Sequence, residues 1–483
     1  MITTSSRQAK EHAQSLKQSH DYVALAKHLA QIPVLLTVWQ EGQPEVLALW
    51  EELEQHGHHP EPYYRASIAE LRESDPELLP DAIVTVYRLL RARSDLDLPT
   101  ELLAELLPEL LAWAEAHDNT LRLMQAHEGL GHLRYVAGRY PESQHYAEET
   151  LRLAEALSDV SEQAKAHRAL GYSYIRLRRF EAARHSFERQ YQLAEMIGDT
   201  ATMCNALGNT ASVLIDEERH VEAEAVSHQQ IALAESIGNT MEIVYGRMNL
   251  GIVFAEFRRY DDSIETLKIA LELAKSVGNR RQAAVILGNL GNYMVKLGRA
   301  EEGYPMLITA LETHREIGFP QGMTYWLNSL AEMYCAAAFG ANYPPGFLVN
   351  FVDISPGEDW RKAVRRMAWR YAEEGNRLSR ELKKYDTIYA SAVVLARIET
   401  ADGNKAKARE RLEDALNMLT DTLRISDCYA WLWRLNLGSP KEVEEYRKAA
   451  LALEEELYSL SPRRDLLEEI EELRRGEIAE NAL

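Results

Sequence analysis

Apolar, small and polar positions recur along this chain in a frame of 40 residues. The pair Leu130-Gly131 returns as Leu170-Gly171, Thr210-Ala211, Leu250-Gly251 and Leu290-Gly291. Nine residues on stand Tyr140, Phe180, His220, Tyr260 and Ala300; three further on stand Ser143, Ala183, Ala223, Ser263 and Gly303. Leu153-Ala154-Glu155 repeats as Leu193-Ala194-Glu195, Leu233-Ala234-Glu235 and Leu273-Ala274-Lys275. The polar pair Ser158-Asp159 becomes Gly198-Asp199, Gly238-Asn239 and Gly278-Asn279. Columns that hold one register over four or five units identify an internal repeat. Each unit reads as helix, short turn, longer helix, loop.

Every column has a physical reason. Gly131, Gly171, Ala211, Gly251 and Gly291, with the Ser, Ala or Gly of the second helix, are small where two helices cross closely. Tyr140, Phe180 and Tyr260 close the turn with apolar bulk. The Gly after the second helix supplies a left-handed residue that ends it, and the Asp or Asn beside it caps the next helix. One unit cannot bury its apolar face alone, so stacked units share a core.

These residues resemble the tetratricopeptide repeat (TPR) family, whose pattern runs Leu-Gly-x-x-Tyr, Ala-x-x-x-Phe, Pro. Leu170-Gly171-x-x-Tyr174 and Ala183-x-x-x-Phe187 match it, and Leu250-Gly251-x-x-Phe254 and Ser263-x-x-x-Leu267 follow it with softer residues. The units lack the closing Pro and are longer than the family's usual ~34 residues. Long units with Asn-Leu-Gly and a Leu-Ala ending are similar to kinesin light chains, Pins-type spindle adaptors and bacterial maltose-activator regulators. The resemblance covers about residues 121–318. It implies an all-α fold: a right-handed α-solenoid of stacked antiparallel helix pairs, the TPR superhelix. It also implies that the first helix of each unit lines a concave groove for peptides or other ligands.

The expected segments are 1–78, helical and broken by Pro33, Pro44 and Pro60; 79–120, a degenerate repeat; and 121–318, five regular units. Then come 319–421, degenerate repeats interrupted by an apolar insert at 339–359, and 422–483, ending in a charged amphipathic helix that caps the last apolar face. The insert carries Phe339, Tyr343, Phe347 and Phe351. It reads as a loop packed over the solenoid, or as a latch in the groove or an oligomer contact.

Two histidine motifs raise the question of metal. In HEGLGH, residues 127–132, His127 and His132 are five apart, about 140° round a helix. A zinc-protease helix needs His at i and i+4, so this pair cannot share an ion and the motif is absorbed into the repeat columns. HGHHPEPYY, residues 56–64, lacks a Cys or acidic pair at ligand spacing and reads as a solvated loop. No metal and no cofactor are expected.

Charge narrows the partners. The formal net charge is −21, which argues against direct nucleic-acid binding. Cys204, Cys335 and Cys428 are far apart and odd in number, as buried thiols in a reducing compartment are. The start has no apolar signal core and the chain no strongly apolar run of about 18 residues. A cytoplasmic protein without membrane insertion is expected. There is no Gly-rich phosphate loop, Gly-x-Ser-x-Gly or Cys-x-x-Cys, so an enzyme is not expected.

Carried over from the family residue by residue, the groove holds a ladder of Asn209, Asn249 and Asn289, one per unit. In kinesin-light-chain-like members an Asn at this place hydrogen-bonds the backbone of an extended peptide, since an amide offers donor and acceptor together. Neighbouring groove columns contribute Lys165, Arg168, Tyr172, Arg176, Asn205, Tyr245, Met248, Asn292 and Lys296. The basic N-terminal end suits an acidic or mixed segment, while the family's chaperone-tail clamp of Lys and Asn is not found. The leading expectation is an adaptor that binds an extended peptide of a protein partner. The alternative is a sensor whose solenoid binds a small molecule or signal peptide, as maltose-activator-like or Rap-type regulators do. Self-assembly into a homo-oligomer is a third reading.

Overall fold

The computed structural model describes residues 6–93, 101–340, 351–352, 354, 358–382, 384–419, 422–460 and 464–476. Every regular element among them is a helix. The chain divides into two compact units, Met1–Asn249 and Leu250–Leu483.

The first unit begins with α1 (Ser6–Gln18), α2 (Tyr22–Ala30), α3 (Ile32–Gln55), α4 (Pro60–Ser74), α5 (Leu79–Arg93) and α6 (Glu101–Ala116). α3 leaves helical geometry at Gly42, two residues before Pro44, which cannot donate to the helix ladder. Trp50, Tyr64 and Tyr87 fill the core here; Trp50 Nε1 donates to the Tyr64 hydroxyl at 3.1 Å, which donates to the Leu29 carbonyl at 3.2 Å. His56 stacks on Tyr22 and His58 meets the Tyr63 hydroxyl at 2.9 Å, so HGHHPEPYY is part of the helix packing rather than a free loop.

The regular repeats follow as α7 (Thr120–Val136), α8 (Tyr140–Ala156), α9 (Val160–Arg176), α10 (Phe180–Met196), α11 (Thr200–Asp216) and α12 (His220–Ser236). α13 (Thr240–Glu256) contains the unit boundary, and α14 (Tyr260–Ser276), α15 (Arg280–Lys296) and α16 (Ala300–Glu316) continue the series in the second unit. Each of these helices has 17 residues, so the second helix of a repeat is not longer than the first. The reason lies in the connections. A left-handed residue recurs at 118, 138, 158, 178, 198, 218, 238, 258, 278, 298 and 318, and each ends a helix. Asn119, Asp159, Asp199, Asn239 and Asn279 then each accept from the backbone N–H three residues on and start the next first helix.

The second unit adds α17 (Pro320–Ala338), α18 (Trp360–Glu381), α19 (Tyr385–Ala401), α20 (Lys405–Leu416), α21 (Thr422–Arg434), α22 (Pro440–Leu460) and α23 (Arg464–Arg475). Its core gathers Leu307, Leu330, Tyr334 and Ala368, with the Tyr334 hydroxyl 3.1 Å from that of Tyr304. Most of the apolar insert, with Tyr343 and Phe347, lies outside the described residues. At its far end Phe351 packs on Tyr304, ring centroids 4.5 Å apart, and Val352 is buried in the same core. α23 buries Leu466, Ile470 and Leu473 and leaves its charged face to solvent. Among the described residues no single helix is long and apolar enough to cross a membrane.

Candidate functional site

In the first unit α7 to α10 pack closely because small residues stand at their crossings. A Cβ on Gly171 would lie 2.4 Å from Phe187, and one on Gly131 3.1 Å from the Tyr146 Cβ. On the face toward α5 this packing leaves a cavity of ≈ 250 Å³. Tyr135, Ala147, Ala169 and Tyr172 form its apolar body. His127, Glu128, Gly131 and His132 also line it, so the HEGLGH motif borders a binding-sized space. Burial holds the His132 pKa down at about 4, and the charge of Arg91 acts in the same direction. Burial likewise lowers His127, whose Nδ1 is buried without a hydrogen-bond partner. Both imidazoles are therefore neutral at pH 7, each with one donor and one acceptor.

The cavity opens beside a second recess of ≈ 590 Å³. Arg91, Glu128, Glu162, Lys165 and Arg168 line both. Arg91 is held by Glu128 at 2.5 Å and the Tyr87 hydroxyl at 2.9 Å; Lys165 reaches Glu162 at 2.8 Å. Arg88, exposed on α5, and Arg168 on α9 make no ion pair or side-chain hydrogen bond among the described residues. The mouth thus presents four cationic groups against two carboxylates, with two of the cations unpaired among the described residues. Arg88 and Arg91 had no signal in the repeat columns, because α5 lies outside the regular frame.

The predicted Asn ladder is wired differently at each rung. Asn209 accepts from the Tyr172 hydroxyl at 3.2 Å and donates to Asn205 Oδ1 at 3.2 Å. Asn205 also accepts from Gln190 Nε2 at 3.3 Å, which makes a polar chain from one repeat to the next. Asn249 is buried, and its Nδ2 donates to the Gly208 carbonyl at 3.2 Å. Tyr245 and Met248 stand half-buried on the same helix. Arg176 donates to the Tyr140 hydroxyl at 2.9 Å, and its guanidinium lies over that ring. Phe180 and Tyr260 are the first residues of their helices, and Arg178 covers the Phe180 ring. Ala211 is fully buried.

In the second unit Asn289 and Asn292 line a recess of ≈ 480 Å³. Val285, Phe319, Tyr325 and Trp326 give it apolar walls, and Thr387 and Arg424 border it from α19 and α21. Neither Asn289 nor Asn292 makes a side-chain hydrogen bond among the described residues. Asn328, another wall residue, donates to the Thr387 carbonyl at 2.9 Å and keeps its Oδ1 buried and unpartnered. Lys296 is exposed, its Nζ 5.8 Å over the Tyr293 ring. Gly251 and Gly291 keep the helix crossings close here: a Cβ on Gly291 would lie 2.9 Å from the Gly303 carbonyl.

No family model and no curated protein matches this chain. Solved structures do. The chain is similar to the apo form of the quorum sensor NprR from B. thuringiensis, with 13% identity and a TM-score of 0.50 over 79% of this chain and 99% of that one. A Rap protein complexed with competence and sporulation factor aligns over 79% of this chain and 99% of its own, with 14% identity and a TM-score of 0.48. At such identities the likeness is one of fold. The chain has a TPR-like helical-repeat fold.

Proposed function

We propose that this protein is a regulatory adaptor that binds an extended acidic peptide segment of a protein partner, anchored in the first unit. One observation carries the reading: an apolar cavity walled by Tyr135 and Tyr172 opens beside Arg88 and Arg168, which make no ion pair among the described residues. Its ≈ 250 Å³ suits a side chain rather than a whole small molecule, since ligand pockets run to about 300–1,000 Å³. An aromatic or aliphatic anchor enters the cavity, and carboxylates beside it meet the arginines, whose forked donors match them. The net charge of −21 opposes a short acidic segment only weakly at physiological salt, because exposed charges more than about 8 Å away are largely screened. In this reading Asn289 and Asn292 offer a second peptide-binding surface in the second unit. The kinesin-light-chain-like members of the long-unit TPR type supply the analogy for an Asn contact to peptide backbone.

A signal peptide is a second form of the same ligand. The fold neighbour NprR is a quorum sensor, which supports keeping a sensor beside the adaptor reading. Selection from phage-displayed random heptapeptides tests the proposal. Acidic sequences around one aromatic or aliphatic residue are expected on the wild type and absent on an Arg88→Glu/Arg168→Glu variant. Sequences without acidic bias, or equal capture by both proteins, would overturn it.

A further inference from the structure

The far end of the second unit holds a feature that peptide binding does not use. Asp427 on α21, Glu454 on α22 and Glu469 on α23 each bring one carboxylate oxygen to within 4.8 Å of the others. Three separate helices therefore converge their acids on one point. Glu454 is fully buried, and neither of its oxygens meets the distance and angle of a hydrogen bond among the described residues. The Ser426 hydroxyl donates to the Ala450 carbonyl at 3.1 Å and also acts on Glu454, lowering its pKa against the larger opposite effect of burial. A buried carboxylate without a partner is costly unless a proton or a cation compensates it. Asp427 and Glu469 are half-buried, so the cluster has a path to solvent.

We propose that Asp427, Glu454 and Glu469 bind a divalent cation that ties α21, α22 and α23 together. Three convergent carboxylate oxygens fit ligands about 2.0–2.6 Å from a shared ion, with water completing the shell. An all-oxygen set selects a hard ion, Mg²⁺, Ca²⁺ or Mn²⁺. Cys428, the neighbour of Asp427, is a buried thiol outside the group of three converging oxygens.

The surrounding charges permit the ion. Arg434 donates to Glu469 at 2.6 Å and to Glu472 at 2.7 Å, so Glu472 keeps it paired while the second Glu469 oxygen turns to the cation. The Tyr389 hydroxyl bonds Asp427 from α19, and Arg424 is the other cation acting on that carboxylate. Without a cation, burial first and the Glu469 charge after it raise Asp427 to about 6 and Glu454 to about 7, so Glu454 is partly protonated at neutral pH. Cation binding at neutral pH then displaces a proton from Glu454 to solvent.

The test is calorimetric titration of the full chain, after EDTA treatment and dialysis, with MgCl₂, CaCl₂ and MnCl₂ at pH 7. Proton release is counted in parallel by pH-stat. One saturable site is expected for at least one cation, with a fraction of a proton released per ion and a raised melting temperature. Glu454→Gln, isosteric and uncharged, is expected to weaken binding at least tenfold; Asp427→Asn does the same should the first variant fold poorly. Absence of binding by all three salts to 10 mM, or binding unchanged in both variants, would overturn the site. The cluster would then be a set of shared protons.

Discussion

Asn249 donates its side-chain amide to the main-chain carbonyl of Gly208, 41 residues earlier, at 3.2 Å. The bond crosses from one repeat to the preceding one, and both groups lie in the first unit. A residue of the Asn ladder is thereby tied to the helix stack. Asn249→Ala removes this inter-helix bond, a second one on a carbonyl already inside the α11 ladder, at a cost of about 0.5–1.5 kcal/mol. Asn289→Ala, with no such bond, is expected to stay within about 0.5 kcal/mol of wild type. Urea denaturation of the two variants side by side measures the difference. Equal losses would mean that the Gly208 contact contributes nothing.

Arg168 and Arg88 set the affinity for acidic peptide in the proposed function. Single changes to Glu are expected to weaken binding of a selected acidic heptapeptide at least tenfold. The wild-type affinity should fall steeply from 50 to 500 mM NaCl, and that of the variants much less. Fluorescence anisotropy at several salt concentrations checks both statements. Variants that match the wild type in both affinity and salt slope would remove the arginines from the site.

The histidines and carboxylates predict opposite pH responses in the two units. His132 and His167 have folded pKa values near 4, lowered mainly by burial from an ordinary 6.5. The unfolded chain binds their protons first, so stability in the first unit is lost as pH falls from about 6.5 toward 4. Asp427 and Glu454 are raised, to about 6 and about 7, so the folded form holds protons that the unfolded form has released. Their contribution is full below the unfolded carboxylate pKa of about 4 and is lost as pH rises to 7. In metal-free buffer, acidification from pH 7 to 5.5 should therefore loosen α7 and α9 and tighten α21 to α23. Hydrogen exchange, corrected for intrinsic rates, reads each helix separately. A uniform change across both units would contradict the assignment.

The left-handed turn residues give a backbone prediction. Gly238 has φ +64°, with nothing within 4 Å of an added Cβ, so Gly238→Ala costs the left-handed strain alone, about 1–2 kcal/mol. Ser158 has φ +55° already, and Ser158→Gly is expected to relieve strain and leave stability unchanged or higher. Thermal melts of the two variants test the signs. A Gly238→Ala protein as stable as wild type would show that the turn relaxes out of the left-handed region.

Much of the fold was legible in the residues because its determinants are local and periodic. Small residues at helix crossings, Asp or Asn at helix starts and Gly after the second helix act within one repeat and recur every 40 residues. The turn inside each repeat was less legible. Its left-handed residue is Arg178, Glu218 or Arg258 in three units, side chains that carry no turn signal. For that reason the equal length of the paired helices went unread.

The site was legible only as columns. Sequence alone determined that the chain is a stack of helices, and which residues share a face within each helix. Tertiary structure decided which of those residues are already engaged: Asn209 with Tyr172, Asn249 with Gly208, Arg176 with Tyr140. It also set Arg88 beside Arg168, and brought Asp427, Glu454 and Glu469 from three helices to one point. The physical reason is one of range. Helix propensity, capping and the spacing of small residues act over a few positions, whereas a hydrogen-bond or ion-pair partner is chosen by how neighbouring helices cross, tens of residues away.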